Sequence, residues 1–338
     1  MQNNYKTIKL EKGMYKDKNK SFSEILEELD PTENYEGSSL FHLDAFQRQL
    51  KRFNIHVNGK NSDTVEKFFT TSDAQALFPE YISRSINSGI EEANNLKNIV
   101  ANTIKINNLN YKNIFINHKN QMEDPKEIKE GDQIPEVNIG LKDNEVHLKK
   151  IGTMLTCSYE TLQYQQISTF STALKQIGKK FNNALFKDAI KTIVEGDGNE
   201  NNAVEIKTES KEIAYKDLIN IWTKLKPYNL TTLIVSPDAM QKILTIKELL
   251  SPQTGLNFQG TGVLNSPLGA NVIYSTALKD AKLIAMDKNF TINHIISQYL
   301  NIESDKIIDK QINKSVITMR YAFAKLFKEA AVILSCQK

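Results

Sequence analysis

Apolar residues spaced three and four apart run through the middle of the chain at Phe170, Leu174, Ile177, Phe181, Leu185 and Ile193, with Ala184 and Ala189 between them. That spacing predicts one amphipathic helix. Ser168 is its expected cap and Gly196 its expected stop, so it spans roughly 40 Å at helical rise. The opposite face carries Lys175, Lys179, Lys180, Lys187 and Lys191 against Asp188 and Glu195. A helix of this length spans a domain, braces a sheet or pairs with another helix. The pattern elsewhere is different. Residues 1–75 are polar with two short helical runs, SFSEILEELDP and FHLDAFQRQLKRFNI, and predict an extended arm without a core of its own. Pro79 opens a further helix, and strand-like spacing follows Asn94. Residues 111–150 are highly charged and punctuated by Pro125, Gly131, Pro135 and Gly140; LKDNEVHL reads as a hairpin around Asp143–Asn144. IGTMLTCS predicts a strand, with Ser158 capping a short helix. Residues 197–210 read as a polar linker. Beyond them YKDLINIWTKL predicts a helix, TTLIVS a buried strand, SPDAMQKIL a helix capped by Ser236, and 251–267 a Gly/Pro-rich loop. ANVIYS, AKLIAMD, HIISQYLNIES, SVITMRYAFAKLF and AAVILS predict strands to the end.

Composition narrows the function classes. Of 338 residues, 40% are apolar and 25% charged, which is globular. The 43 basic and 40 acidic side chains leave a net charge of +3, which excludes a strongly basic nucleic-acid clamp. Cys157 and Cys336 are too few for a disulfide scaffold or a zinc site and read as core side chains in a reducing compartment. The opening stretch has no apolar run of signal-peptide type, and no apolar run is long enough to cross a membrane. His42, His56, His118, His147 and His294 are scattered, without metal-ligand spacing. Gly260 and Gly262 lack the strand-turn-helix setting and third glycine of a dinucleotide loop. Asp197, Asn199 and Asn201 alternate as in a calcium loop, but Thr208 stands where the bidentate glutamate belongs, which favours a plain polar loop. The lysines of the long helix suit loose phosphate contact or an ordinary solvated face equally. No catalytic, cofactor or metal constellation emerges, and neither an enzyme nor a cofactor is expected. The arm and the charged loop read as devices for gripping neighbours.

The order of these elements resembles the major capsid proteins of tailed bacteriophages, the HK97-like fold that encapsulin shells share. FQRQLKRFNI and TVEKFFTTSDAQALFPEYISRSINSGIEE resemble the segment leading from arm to body in phages of low-GC Gram-positive hosts. IGTMLTCSYETLQYQQISTFSTALKQIGKKFNNALFKDAIKTIVEGDG resembles the family's strand, short helix and spine helix. SPLGANVIYSTAL resembles a family strand with Asn271 in place of the usual proline. DKQINKSVITMRYAFAKLFKEAAVILS resembles the closing P-domain strands, with Arg320 in the basic position.

The resemblance implies an α+β chain: N-terminal arm (1–75), leading P-domain segment (76–117), E-loop (118–150), P-domain strand and spine helix (151–211), A-domain (212–285) and closing P-domain strands (286–338). It implies pentamers and hexamers closing an icosahedral-type shell around double-stranded DNA, in a virion capsid assembled in the host bacterial cytoplasm; an encapsulin-like compartment is the alternative. Contacts between copies would fall on the E-loop at Lys126, Lys129, Glu130, Lys142 and Glu145, and on the A-domain loop at Pro252, Asn257 and Pro267. Lys179, Lys187 and Lys191 are the candidates for non-specific contact with packaged DNA. A portal protein, a scaffolding protein and a decoration protein are the further partners, with no membrane. Cross-linking members join an E-loop lysine to a P-domain asparagine with a glutamate seven residues on. Here Asn301 is followed at that spacing by Ile308, and Asn313 by Arg320, so a shell without covalent cross-links is expected. A mature chain beginning at Met1 would imply no N-terminal cleavage and a separate scaffold.

Overall fold

The structure is a computed structural model describing residues 4–16, 20–93, 95–116, 127–131, 138–250, 267–278 and 280–336. Among these the helices are α1 (Phe22–Leu29), α2 (Ala45–Arg52), α3 (Ser72–Ala76), α4 (Phe78–Glu92), α5 (Tyr159–Tyr164), α6 (Ile167–Glu195), α7 (Tyr215–Lys224), α8 (Pro237–Ile243), α9 (Lys247–Leu250) and α10 (Lys288–Thr291). The strands are β1 (Val100–Lys105), β2 (Asn110–Tyr111), β3 (Ile114–Ile116), β4 (Ile139–Leu141), β5 (Val146–His147), β6 (Lys149–Ser158), β7 (Val204–Lys207), β8 (Thr232–Val235), β9 (Asn271–Tyr274), β10 (Lys282–Met286), β11 (Ile292–Ile307), β12 (Ile312–Lys325) and β13 (Ala331–Ser335). They form two compact units. One comprises Met1–Ala93, Ile151–Asn182 and Tyr299–Met319; the other comprises Asn94–Lys150, Asn183–Gln298 and Arg320–Lys338.

The first unit corrects the expectation of an extended, coreless arm. Helices α1 and α2 each begin with a capping box, Ser21 with Glu24 and Asp44 with Gln47. Between them lies a buried ion pair: Arg48 Nε donates to Asp30 Oδ2 at 2.6 Å, and both side chains are 0% exposed. Such a pair survives burial only when its remaining hydrogen-bonding capacity is used. Arg48 also donates to Thr32 Oγ1 at 3.2 Å and to the carbonyl oxygen of Leu43 at 2.5 Å, while Tyr35 Oη donates to Asp30 Oδ1 at 2.6 Å. The guanidinium stacks 4.4 Å from the Tyr35 ring, and Tyr5, Tyr35 and Leu40 bury one another alongside. Burial and the Asp30 carboxylate push the Tyr35 phenol up to about 12.

Helix α6 begins at Ile167, ahead of the expected Ser168 cap. The Ser168 N–H is instead satisfied by Ser62 Oγ at 3.1 Å. Within this unit α6 crosses α4 backbone against backbone. A Cβ on Gly178 would strike the Ile86 carbonyl, and one on Gly89 would strike the Lys175 carbonyl. Glycine costs a helix about 1 kcal/mol relative to alanine, so two facing mid-helix glycines mark a contact that needs their bareness. Lys175 Nζ reaches Glu92 Oε1 at 2.5 Å, and Asn182 Nδ2 caps the Ala93 carbonyl at 2.5 Å. The hairpin ends of β11 and β12 complete the unit, with β6 beside β12, where a Cβ on Gly152 would meet the Ile317 carbonyl at 2.8 Å.

The second unit holds a mixed five-stranded sheet in the order β7-β13-β10-β8-β9. β10 runs antiparallel to β13 and β8, while β7 is parallel to β13 and β9 to β8. Leu233, Val235, Leu283, Ala285, Val332 and Leu334 alternate onto one face, where Leu218, Ile221, Ala239 and Ile243 of α7 and α8 cover them. Ile234, Ile284 and Ile333 between them are also buried, which explains the unbroken apolar runs. β7 lies inside the stretch read as a polar linker, and the sheet takes β7 and β13 from outside the expected 212–285. β1 pairs in parallel with β11, aligning Thr103 with His294. The His294 ring stacks on Phe323 at 4.8 Å, its Nε2 is buried without a partner among the described residues, and burial lowers its pKa to about 4.

Two outcomes follow. Gly178→Val should lower unfolding free energy by about 2–3 kcal/mol through overpacking at the crossing, whereas Gly13→Ala, with open space around it, should stay within about 0.5 kcal/mol; chemical denaturation measures both. The unfolded chain protonates His294 at about 6.5, before the folded chain does, so the stability tied to its neutral ring is complete above that pH. Stability should fall by on the order of 3 kcal/mol as pH drops from 6.5 to about 4, and His294→Gln should flatten that slope.

Candidate assembly site

The charged segment does not form a hairpin about Asp143–Asn144. Its later strands pair with residues at its own beginning: Asn110 and Tyr111 face His147 and Val146, and Ile114, Phe115 and Ile116 face Leu141, Gly140 and Ile139. One antiparallel ribbon results, interrupted where Asn113 and Lys142 turn inward. Asp143 and Asn144 sit at this interruption rather than at a tip.

The two inward side chains meet at the end of β12. The carbonyl oxygen of Lys325 accepts from Lys142 Nζ at 2.6 Å, Asn113 Nδ2 at 2.8 Å and Asn201 Nδ2 at 3.4 Å. The Lys325 N–H donates to Asp197 Oδ2 at 2.8 Å, and its fully buried ammonium donates to the Ile193 carbonyl at 2.7 Å. That carbonyl belongs to the last turn of α6, where backbone acceptors are free and a cation is favoured. Burial pulls the Lys325 ammonium down to about 8, with Asp197 opposing the shift. Lys142 is shifted downward by the same burial.

The DGNENN stretch locks the same point. Gly196 takes φ +84° and ends α6 as expected. Asn199 Nδ2 donates to Asp197 Oδ1 at 3.0 Å, Asn201 Oδ1 accepts from the Asp197 N–H at 3.0 Å, and Asn144 Nδ2 donates to the Gly198 carbonyl at 2.7 Å. The alternating acidic and amide side chains thus tie the loop to the ribbon. Nearby, Asp188 on α6 accepts from Lys149 Nζ at 2.6 Å and from the buried Tyr321 hydroxyl, whose pKa rises through burial and the adjacent carboxylate.

The ribbon rooted here is apolar and open. Ile139 is 68% and Leu141 59% exposed, and Ile114 and Phe115 are exposed beside them. Of the expected contact residues, Lys142 is turned inward to Lys325, Glu145 pairs with Lys112 at 3.8 Å, and Lys129 and Glu130 are exposed. Lys126, Pro252 and Asn257 lie outside the described residues; Pro267 opens a short helical turn ending at Gly269. Among the candidate DNA-facing lysines, Lys179 pairs with Glu92 and Lys191 with Glu195, both at 3.7 Å, and Lys187 is exposed. Sequence reasoning missed Asn113 and Lys325 and read Asn201 only as part of a polar loop; a lysine and asparagines far apart along the chain carry no signal that they meet at one buried carbonyl.

Among the described residues no group of three or more His, Cys, Asp or Glu is placed to hold a metal, and no helix is long and apolar enough to cross a membrane. Both cysteines are free thiols, and burial raises that of Cys157.

The architecture is the HK97-like capsid fold. The virus-like particle protein from Pyrococcus furiosus aligns at 13% identity and TM-score 0.51, covering 76% of this chain and 98% of that one. The capsid protein of the cyanophage P-SCSP1u aligns at 11% identity and TM-score 0.51 over 71% of this chain and 86% of its own. That of the mature capsid of bacteriophage PhiM1 aligns at 9% and 0.50 over 72% and 86%. No curated protein matches the sequence. Residues 143–332 match the phage capsid protein family, and the chain belongs to that family.

Removing the Asp197 carboxylate leaves the buried Lys325 N–H unsatisfied and removes the strongest opposing charge on its ammonium. Asp197→Ala should therefore destabilise the chain by about 1–3 kcal/mol, and should raise hydrogen exchange at Asn113 and Lys142 more than in the β8–β10 sheet.

Proposed function

We propose that this capsid protein is the repeating subunit of a closed shell of pentamers and hexamers around double-stranded DNA. The observation that carries the reading is the anchored ribbon. A two-stranded ribbon is marginal alone, and this one exposes Ile114, Ile139 and Leu141 while its root is fixed by Lys142, Asn113 and Lys325. A rigid base beneath an uncovered apolar strip suits a strap laid over a neighbouring copy. Such a contact joins different surfaces on the two copies, the kind that closes rings. The family match favours a phage shell over a cargo-holding compartment.

In this reading 118–150 serve as the E-loop with 110–116 as their partner strand, and 212–285 supply contacts around the capsomer axes through the loop bearing Pro252, Asn257 and Pro267. Lys187 is the foremost candidate for DNA contact, since Glu92 and Glu195 already neutralise Lys179 and Lys191. The shell holds by packing and ion pairs without covalent cross-links, because Lys142 is occupied by its own chain and Ile308 and Arg320 stand where the cross-linking glutamate belongs. Assembly in the host bacterial cytoplasm with a scaffolding protein, at a portal, and with a decoration protein outside completes the proposal.

Electron microscopy and sedimentation of the full chain expressed with its scaffold test it. Shells or rings of five and six are expected, and Ile139→Asp with Leu141→Asp should abolish them while leaving a folded monomer. A chain that stays monomeric with scaffold supplied overturns the reading, and a ladder of multimers on a denaturing gel overturns the absence of cross-links.

A further inference from the structure

The turn joining β11 to β12 carries Ile308, which at 77% is the most exposed of the large hydrophobic residues described. The turn is held firmly. Gln311 takes the left-handed conformation at φ +51°, and its carbonyl accepts from the Tyr159 N–H at 3.0 Å. An apolar side chain at a fixed tip is not a by-product of a floppy loop.

The same unit contains a cavity of about 420 Å³ bordered by the flank of this hairpin. Its apolar wall is Phe69, Phe78, Pro79 and Ile302. Its rim carries the exposed carboxylates of Glu303 and Asp305, with the Lys306 ammonium 4.9 Å from the Phe69 ring. Ile308 does not line the cavity of its own chain, and a paired hairpin cannot bend its tip back against its own flank.

We propose that this cavity receives the β11–β12 tip of a second copy of the chain, with Ile308 entering the apolar wall. The charges match in order. Lys310 of the incoming tip meets Glu303 and Asp305, and its Asp309 meets Lys306. Knob and hole lie on different surfaces of one molecule, so the contact propagates around a ring instead of ending at a pair. The inference rests on the shell-forming reading and adds to it a second grip, separate from the ribbon.

The test uses the full chain with scaffold, after confirming that the unaltered chain forms shells; failure at that step overturns the shell reading as a whole. Ile308→Asp should weaken association about tenfold or more and reduce shell yield accordingly, with an unchanged melting temperature because the side chain is exposed. Lys310→Glu should also reduce yield, and adding Glu303→Lys with Asp305→Lys should restore it. Wild-type shell yield from Ile308→Asp, or no restoration by the reversed pair, overturns the proposal.

Discussion

One buried carbonyl, that of Lys325, ties the ribbon to the ends of α6 and β12. Three side-chain donors from the ribbon and the loop after α6 converge on it, while the same residue's ammonium closes the end of α6. Burying a lysine is costly unless its charge is hydrogen-bonded and compensated, and here the Ile193 carbonyl and Asp197 do both. The cost secures position. The helix end, the strand end and the ribbon root cannot shift independently, so the exposed apolar strip is presented in one orientation. In the proposed contact with a neighbouring copy, affinity then need not be spent on ordering the ribbon.

The first unit uses a different constraint for the same end. Facing Gly89 and Gly178 bring two helix backbones together, and the Arg48–Asp30–Tyr35 network ties down the residues before them. Both devices sacrifice local propensity or solvation for fixed geometry. A shell subunit repeats every contact many times, so a small angular error in one copy accumulates across the lattice. Rigid roots under uncovered apolar surfaces suit that requirement.

Much of this fold was legible in sequence because it follows from spacing. The three-four pattern of α6, the Ser158 and Ser236 caps, the Gly196 stop and the apolar runs of β8, β10 and β13 all appear where periodicity and capping place them. β7 escaped because it is an edge strand with mostly exposed side chains, so its VEIK sequence looks like linker. The Asp143–Asn144 turn chemistry is real but serves a kink, since pairing partners upstream outcompete a local hairpin. Residues 1–75 looked coreless because their core is partly polar: Arg48, Asp30 and Gln49 are buried where composition would place them in water. Buried polar groups are invisible to hydrophobic pattern, and the Lys325 cluster was missed for that reason. Gly178 was the one hint left unused, since a glycine inside so long a helix demands a close neighbour.

The most direct test compares hydrogen exchange in assembled particles and in dissociated subunits of the same chain. The account predicts that amides of 110–116 and 138–147 gain protection on assembly, while α6 and 320–325 are protected in both states. Unchanged exchange across the ribbon would contradict it, because the strip that Ile139 and Leu141 expose would then remain uncovered in the shell.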